Sequence, residues 1–403
     1  MLLLFSLPKL KISYQLSLNR YSVSEQVFDI AIIGSGPAGT TAALALKESG
    51  LKLALIDKSS FPRDKVCGDA IGGRVKKVLG EIGTGFPDEL KNFPPKNISS
   101  GWKLFAPNGK TIEVNFVNPG YVSRRIDFDD WLFSKVTGQK NLEIINSGIS
   151  NLHSNENGIE IITDNNDKLN AKLVIGCDGA HSIVAKKLAG FKVDHRHYSG
   201  AVRAYYRDVE GTANSEMLEI HLVNGFLPGY FWIFPLHENL SNVGFGMLSS
   251  DIKERRIDLK VALKEIIQSS PQLKERFRNA KLADDVTGFG LPLGGIQRKI
   301  SGHRYMLCGD AASLIDPLTG EGIGNAMLSG LYAARKAINC FEKNSFSSDE
   351  MKGYDEAVYN KLLPELKKNL FMQRAFNRPW LINLLVNVAI ASPGLKNWFA
   401  KKL

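Results

Sequence analysis

The chain has 403 residues, a formal charge of +10, 44% apolar residues and 23% charged residues. This composition suits a globular protein of two domains, or one large domain with an insert, and excludes a disordered chain or a membrane bundle. Four cysteines (Cys67, Cys177, Cys308, Cys340) lack any CxxC spacing, which argues against a zinc site or disulfide framework and fits a reducing cytoplasm.

Residues 1–7 are apolar, but Lys9 and Lys11 follow them rather than precede them, so no signal peptide is read there. Residues 1–26 are expected to be an extension outside the fold. Residues 28–33 form a short apolar run, residues 34–39 are glycine-rich, residues 40–47 favour a helix, and a second apolar run ends at Asp57. Strand, tight turn, helix and strand open a doubly wound sheet. Between residues 80 and 120, Gly85, Pro87, Pro94, Pro95, Pro107 and Gly109 predict loops and short strands. Residues 142–163 alternate as β-structure, residues 173–175 are a buried strand, and residues 200–249 read as an antiparallel sheet. His195 and His197 are expected to share one face of a strand, without a third ligand that would make a metal site. Residues 305–307 form another buried strand, and a helix is expected from about 322 to 341.

Beyond residue 360 stand Lys361, Lys367, Lys368, Arg374, Arg378, Lys396, Lys401 and Lys402, opposed only by Glu365. With the apolar run 380–391, too short to span a bilayer, this predicts peripheral contact with an anionic membrane from the cytoplasmic side. A solvated basic face is the alternative. No nucleic-acid partner is expected, and the oligomeric state is not legible.

Two motifs carry the cofactor reading. Gly34-Ser35-Gly36-Pro37-Ala38-Gly39, with Asp57 after the second strand, suits a pyrophosphate on a helix N-terminus and a carboxylate on the adenosine ribose. This first motif leaves NAD and FAD open. Gly309-Asp310 after a buried strand, then Pro317-Leu318-Thr319-Gly320-Glu321-Gly322-Ile323 opening a helix, suits ribityl hydroxyls and the pyrimidine edge of a flavin. The expected cofactor is therefore FAD, held without a covalent bond.

These motifs, together with Asp178-Gly179 in a DG segment, resemble the p-hydroxybenzoate-hydroxylase-type superfamily of FAD enzymes. One departure is Ala185, where that superfamily usually has arginine. Within it, Phe61-Pro62-Arg63-Asp64-Lys65-Val66-Cys67-Gly68 resembles the Pro-Arg-x-Lys-x-Cys-Gly run of the geranylgeranyl reductase family. Tyr230-Phe231-Trp232-Ile233-Phe234-Pro235, then eight residues, then Gly244-Phe245-Gly246, is similar to that family's YxWxFP…GxG pattern. Arg125 with Phe128-Asp129 resembles a flavin-side arginine segment. The resemblance implies cofactor contacts from Gly34, Gly36, Pro37, Ala38, Gly39, Asp57, Lys58, Arg63, Cys67, Gly68, Arg125, Asp178, Gly179, Gly309, Asp310, Pro317, Gly320, Gly322 and Ile323. It also implies a prenyl-chain wall from Tyr230, Trp232, Phe234 and Pro235. Alternating aromatics share one face of a strand and can pack a hydrocarbon, although an aromatic sheet core is the plainer reading. Cys67 is either an acid beside the flavin or a small buried residue.

The expected fold is α/β, with a Rossmann-like FAD-binding domain built discontinuously from residues 27–75, 121–192 and 293–342. Residues 76–120 and 193–292 are expected to form a β-rich substrate domain, and 343–403 a basic helical segment. The expected function is FAD-dependent reduction of carbon–carbon double bonds in a geranylgeranyl or polyprenyl chain of a lipid or quinone. Electrons would come from NAD(P)H or a ferredoxin. A flavin monooxygenase or halogenase, and a non-redox isoprenoid cyclase using reduced FAD, are the rival readings.

Overall fold

The computed structural model describes residues 26–391. Residues 1–25 and the tail lysines Lys396, Lys401 and Lys402 lie outside the described residues.

An eight-stranded sheet forms the first layer, with the path Ser301–Gly302, Tyr305–Leu307, Lys168–Gly176, Gln26–Ile33, Leu53–Asp57, Leu142–Asn146. Ile149–Ser154 and Ile159–Thr163 pair with each other, and the latter also pairs with Lys168–Gly176. The central strands are continuous apolar runs because both faces are covered: Ile30, Ala31, Ile32, Leu53, Leu55, Leu173 and Val174 are all buried. Register decides what this sheet can do. Ile33 is level with Ile56 and with Gly176, and Gly176 is level with Leu307. The GxGxxG loop, the DG segment and the GD segment therefore leave the sheet side by side at its carboxyl edge, where open α/β sheets place their ligands.

The helix Pro37–Ala45 starts earlier than residue 40, because a proline in the first turn needs no N–H partner. It packs on Ile323–Glu342 so closely that a Cβ on Gly330 would stand 2.2 Å from Ala38 O. Ser348–Ala375 completes this half, burying Tyr354, Leu362 and Leu366 in the same core.

Nine strands form the second sheet, and Tyr230–Pro235 lies inside it, between Leu240–Leu248 and Met217–His221. Its residues alternate as a strand requires. Phe231 and Ile233 join Val243, Phe245, Leu263 and Ile266 in one core. Tyr230, Trp232 and Phe234 turn to the other face. Ala70–Ile71, which the sequence reading put in the first domain, pairs in this second sheet with Tyr121 and Val122.

Two expectations are corrected. Residues 80–120 are not loops and short strands: they hold the helix Phe86–Asn92 and two long paired strands, Asn97–Phe105 and Thr111–Val122. Pro87 sits in the first turn of that helix, and Pro107 and Gly109 make the hairpin turn, so these residues punctuate elements rather than prevent them. His195 and His197 lie in a single 3-10 turn, not on a strand. Asp194 accepts from the Arg196 amide and from His197 Nδ1 at 2.9 Å, a local bonding pattern that draws the backbone into a turn.

The apolar run forms the helix Pro379–Ala391. Ile382, Val386 and Ala389 pack against Ile112 and Val114, while Trp380, Leu384 and Val388 are 61%, 50% and 42% exposed. Among the described residues, no helix is long and apolar enough to cross a membrane.

Candidate active site

Three glycines of the first loop have three different physical roles. Gly34 has φ +100°, and a Cβ there would stand 2.4 Å from Cys177 O. A Cβ on Gly39 would lie 1.8 Å from Gly34 O, inside the turn itself. Gly36 has an ordinary φ of −67°, and a Cβ would meet only Arg63 Nη2 at 3.5 Å. Gly36 therefore faces open space at the start of a helix, where a diphosphate would approach the backbone. Asp57 Oδ2 accepts from Ser35 N at 2.7 Å, and its Oδ1 accepts from Ser59 N at 2.9 Å, so this carboxylate braces the loop. Lys58 beside it is exposed.

Asp178 is placed differently. Its Oδ1 accepts from Ser182 Oγ at 2.6 Å and its Oδ2 from Ile183 N at 2.7 Å, capping the short helix Ile183–Lys187. Burial raises its pKa despite these bonds. Its observed partners are all within its own segment, and Gly179 beside it adopts φ +79° to make the turn.

Opposite the first loop, Gly309 (φ +58°) packs on Ala326, where a Cβ would stand 2.8 Å from the alanine Cβ. Asp310 Oδ2 accepts from Lys65 Nζ at 2.9 Å. That ion pair joins the 61–68 loop to the GD segment. Asp316 Oδ1 accepts from Leu318 N and Thr319 N, both at 2.9 Å, and its Oδ2 accepts from Asn369 Nδ2 at 2.6 Å. The loop from Pro317 to Gly322 is thus preset before the buried Ile323 starts its helix. Gly320 needs its φ of +74°, and a Cβ there would sit 2.9 Å from Tyr230 Oη.

The loop 61–68 is tied in from several sides. Arg63 Nη1 donates to Asp129 Oδ2 at 2.9 Å. Arg125, 3% exposed, clamps the same carboxylate with two bonds, at 2.6 and 2.5 Å. Burial alone would raise the Asp129 pKa, but the two arginines outweigh it and hold the carboxyl below its ordinary value. The Cys67 thiol lies beside the Arg125 guanidinium and is half-buried; Cys177, Cys308 and Cys340 are buried.

The aromatic wall adjoins both loops. Tyr230 Oη donates to Thr319 O at 2.6 Å, and a Cβ on Gly68 would touch the Phe234 ring at 3.3 Å. Ring centroids are 5.9 Å apart from Tyr230 to Trp232 and 6.2 Å from Trp232 to Phe234. Trp232 is level with Gly244 across the ladder, and a Cβ on Gly244 would stand 2.1 Å from the indole ring. The two-glycine segment is the space into which the tryptophan lies. Pro235 is buried at the end of this strand.

Sequence reasoning names Lys65 only as part of the 61–68 motif, without a role, and misses Asp69, Tyr205 and Asn242. Asp69 is 0% exposed; its Oδ2 accepts from Tyr205 Oη at 2.7 Å and Asn242 Nδ2 at 2.8 Å, while Oδ1 has no partner. Burial pushes its pKa up from 3.8 to about 7, against the bonds from Asn242 and Tyr205. A raised carboxyl pKa means the folded state holds the proton that the unfolded state has lost. Its contribution is complete below about pH 4 and is lost as pH rises through 7. From pH 5 to pH 8 this group alone removes roughly 2–3 kcal/mol of stability. Urea unfolding of Asp69→Asn should show that much less decline across the same interval; parallel pH curves for the two proteins would refute the assignment.

The glycine cradle, the unpartnered buried Ser35 Oγ and the two converging helix N-termini fit an FAD diphosphate and flavin. Fold and loops together define the class: this is an FAD-dependent oxidoreductase. Residues 29–63 match the model of an FAD binding domain, and residues 198–284 that of the geranylgeranyl reductase catalytic domain. The chain belongs to the geranylgeranyl reductase family. It is 31% identical over 362 residues to a digeranylgeranylglycerophospholipid reductase of Methanocaldococcus jannaschii, covering 86% of this chain and 87% of that one. It is 30% identical over 323 residues to a menaquinone reductase of Mycobacterium tuberculosis, covering 76% and 75%. A geranylgeranyl bacteriochlorophyll reductase-like protein from Thermoplasma acidophilum superposes with a TM-score of 0.77 at 25% identity, over 90% of this chain and 91% of that one. A flavin-dependent brominase also superposes, with a TM-score of 0.75 at 19% identity over 94% and 93%, a likeness of fold alone.

Proposed function

We propose that this protein saturates carbon–carbon double bonds of a geranylgeranyl or related polyprenyl chain borne by a lipid or quinone. The observation that carries this reading is the aromatic face of Tyr230, Trp232 and Phe234, in direct contact with both cofactor loops. FAD, bound and reduced, would supply the hydride. The sites proposed for it are Gly34, Gly36, Pro37, Ala38, Gly39, Asp57, Lys58, Arg63, Gly68 and Arg125 on one side. Asp178, Gly179, Gly309, Asp310, Pro317, Gly320, Gly322 and Ile323 complete the set.

An isolated alkene is not electrophilic, so a proton must arrive with the hydride. The aromatic rings shelter the positive charge that develops on carbon. Cys67, half-buried beside Arg125, is the proposed proton donor. Electrons come from NAD(P)H or a ferredoxin. Anaerobic incubation of the reduced protein with geranylgeranyl lipids and prenyl quinones should give products heavier by two hydrogens per bond. Oxygen or halogen in the product would establish the monooxygenase or halogenase reading, and unchanged mass with a new structure the cyclase.

The helix Pro379–Ala391 is the proposed membrane contact. Apolar side chains occupy its outward face as well as its packed one, and Arg374 and Arg378 precede it. Each basic residue near an anionic surface contributes about 1 kcal/mol, which salt screens. Binding to phosphatidylserine vesicles should fall several-fold in 0.5 M salt and again in Leu384→Glu/Val388→Glu, which alters only exposed positions. Sedimentation showing equal binding to neutral and anionic vesicles would remove the electrostatic part.

A further inference from the structure

Behind the aromatic wall lies a buried polar network that the proposed reaction does not use. Asn242 is 0% exposed, on the strand that pairs with Tyr230–Pro235. Its Oδ1 accepts from Trp232 Nε1 at 2.8 Å. Its Nδ2 donates to Cys67 O at 2.7 Å and to Asp69 Oδ2 at 2.8 Å. An indole N–H can only donate and a backbone carbonyl can only accept, so one orientation of the amide satisfies all three partners. Asn242 has no freedom left.

The network continues into the substrate sheet. Tyr205 holds Asp69, and the Arg203 guanidinium lies over the Tyr205 ring at 4.1 Å from its centroid. Arg203 is 1% exposed and pairs with Asp64 of the 61–68 loop and with Asp284. Asp69 adopts φ +66°, uncommon for a non-glycine residue and sustained here by its bonds. Gly68, one residue away, lies against the wall, and a Cβ there would stand 3.9 Å from Trp232 Nε1.

Apolar packing is non-directional, so a hydrocarbon chain does little to orient the ring it touches. An indole held only by such contacts would leave the reacting bond poorly placed, and misplacement of about 1 Å is costly to rate. We propose that Asn242 is a positioning residue of the active site. It fixes the plane of the Trp232 indole against the Cys67–Gly68 loop, so that the substrate wall and the flavin-side loop act as one rigid body. The inference rests on the reading of Tyr230–Pro235 as the wall of a prenyl cavity.

A double-mutant cycle tests it. Asn242→Ala removes all three bonds; Trp232→Phe keeps an aromatic ring and removes the indole N–H together with the second ring. Each should lower kcat by about tenfold, as expected when the one buried hydrogen bond that orients the ring is lost, with little change in KM and normal FAD content. The double variant should be slower than the worse single one by clearly less than the product of the two effects, because both changes break the same contact. If Asn242→Ala fails to fold, Trp232→Phe interrogates that contact from the other side. The Trp232 indole N–H resonance, identified by its loss in Trp232→Phe, should be slowly exchanging in the wild type and shift and exchange rapidly in Asn242→Ala. Wild-type kcat in Asn242→Ala, multiplicative effects in the double variant, or an unmoved indole resonance would each overturn the proposal. A wild type that reduces no prenyl chain would sink the functional reading, while the substrate-free resonance would still decide whether Asn242 holds the ring.

Discussion

Trp232→Ala should lower kcat/KM for a prenyl substrate by on the order of a hundredfold, because the wall loses the ring that shapes it and the reacting bond is misplaced. If the ring also steadies positive charge developing on carbon, kcat should fall more than KM rises, because that contact strengthens only in the transition state. The indole is 6% exposed and fills the space left by Gly244, so truncation also opens a cavity and costs about 3–5 kcal/mol of stability. Measurements therefore belong well below the melting temperature, with FAD per chain determined in parallel. A truncated enzyme that keeps its FAD and turns over at the wild-type rate would show that the wall is an ordinary sheet core.

Gly36→Val should fold and fail to retain FAD. Its side chain would project past Arg63 into the open cradle and hold a diphosphate off the backbone, at no cost in backbone conformation. Gly39→Val is the contrasting case: its Cβ alone would overlap Gly34 O, so the turn itself must break and the apoprotein should melt far lower. Asp310→Ala is expected between them, folded but leaking flavin, because it removes a carboxylate at the cleft and leaves Lys65 without its partner. Absorbance at 450 nm per chain after gel filtration, beside apoprotein melting curves, separates the three. Full occupancy in Gly36→Val would mean the cofactor site is elsewhere.

What was readable in advance follows from the range of the interactions. The glycine turns and the alternation of Tyr230, Trp232 and Phe234 are local, and each leaves a spacing that a strand or helix period explains. The hairpin between Asn97 and Val122 is hidden in the sequence because its prolines and glycines dominate the local pattern, whereas residues 101–105 of its first strand are held by pairing with the distant Met217–His221. The pairing of Lys65 with Asp310, and of Asn242 with Asp69, leaves no local trace. These partners are 245 and 173 residues apart, and a lone lysine, asparagine or aspartate in a strand or loop has no period to betray it. The function of the GxG pair was also hidden until the register showed Gly244 beneath the indole.

The level register of Ile33, Gly176 and Leu307 has a consequence for how the protein is made. A ribosome delivers the first cofactor loop early, but the strand and helix that face it come almost 300 residues later. Until that last part has emerged, the nascent chain has half a cradle and exposes the apolar edge of an unfinished parallel sheet, a state prone to aggregation. Flavin binding then acts on the completed chain only, drawing the folded population forward by mass action. Cells short of riboflavin should accordingly hold less of this protein at normal synthesis, as a folded apoprotein that melts lower and is degraded faster than the flavin-loaded form.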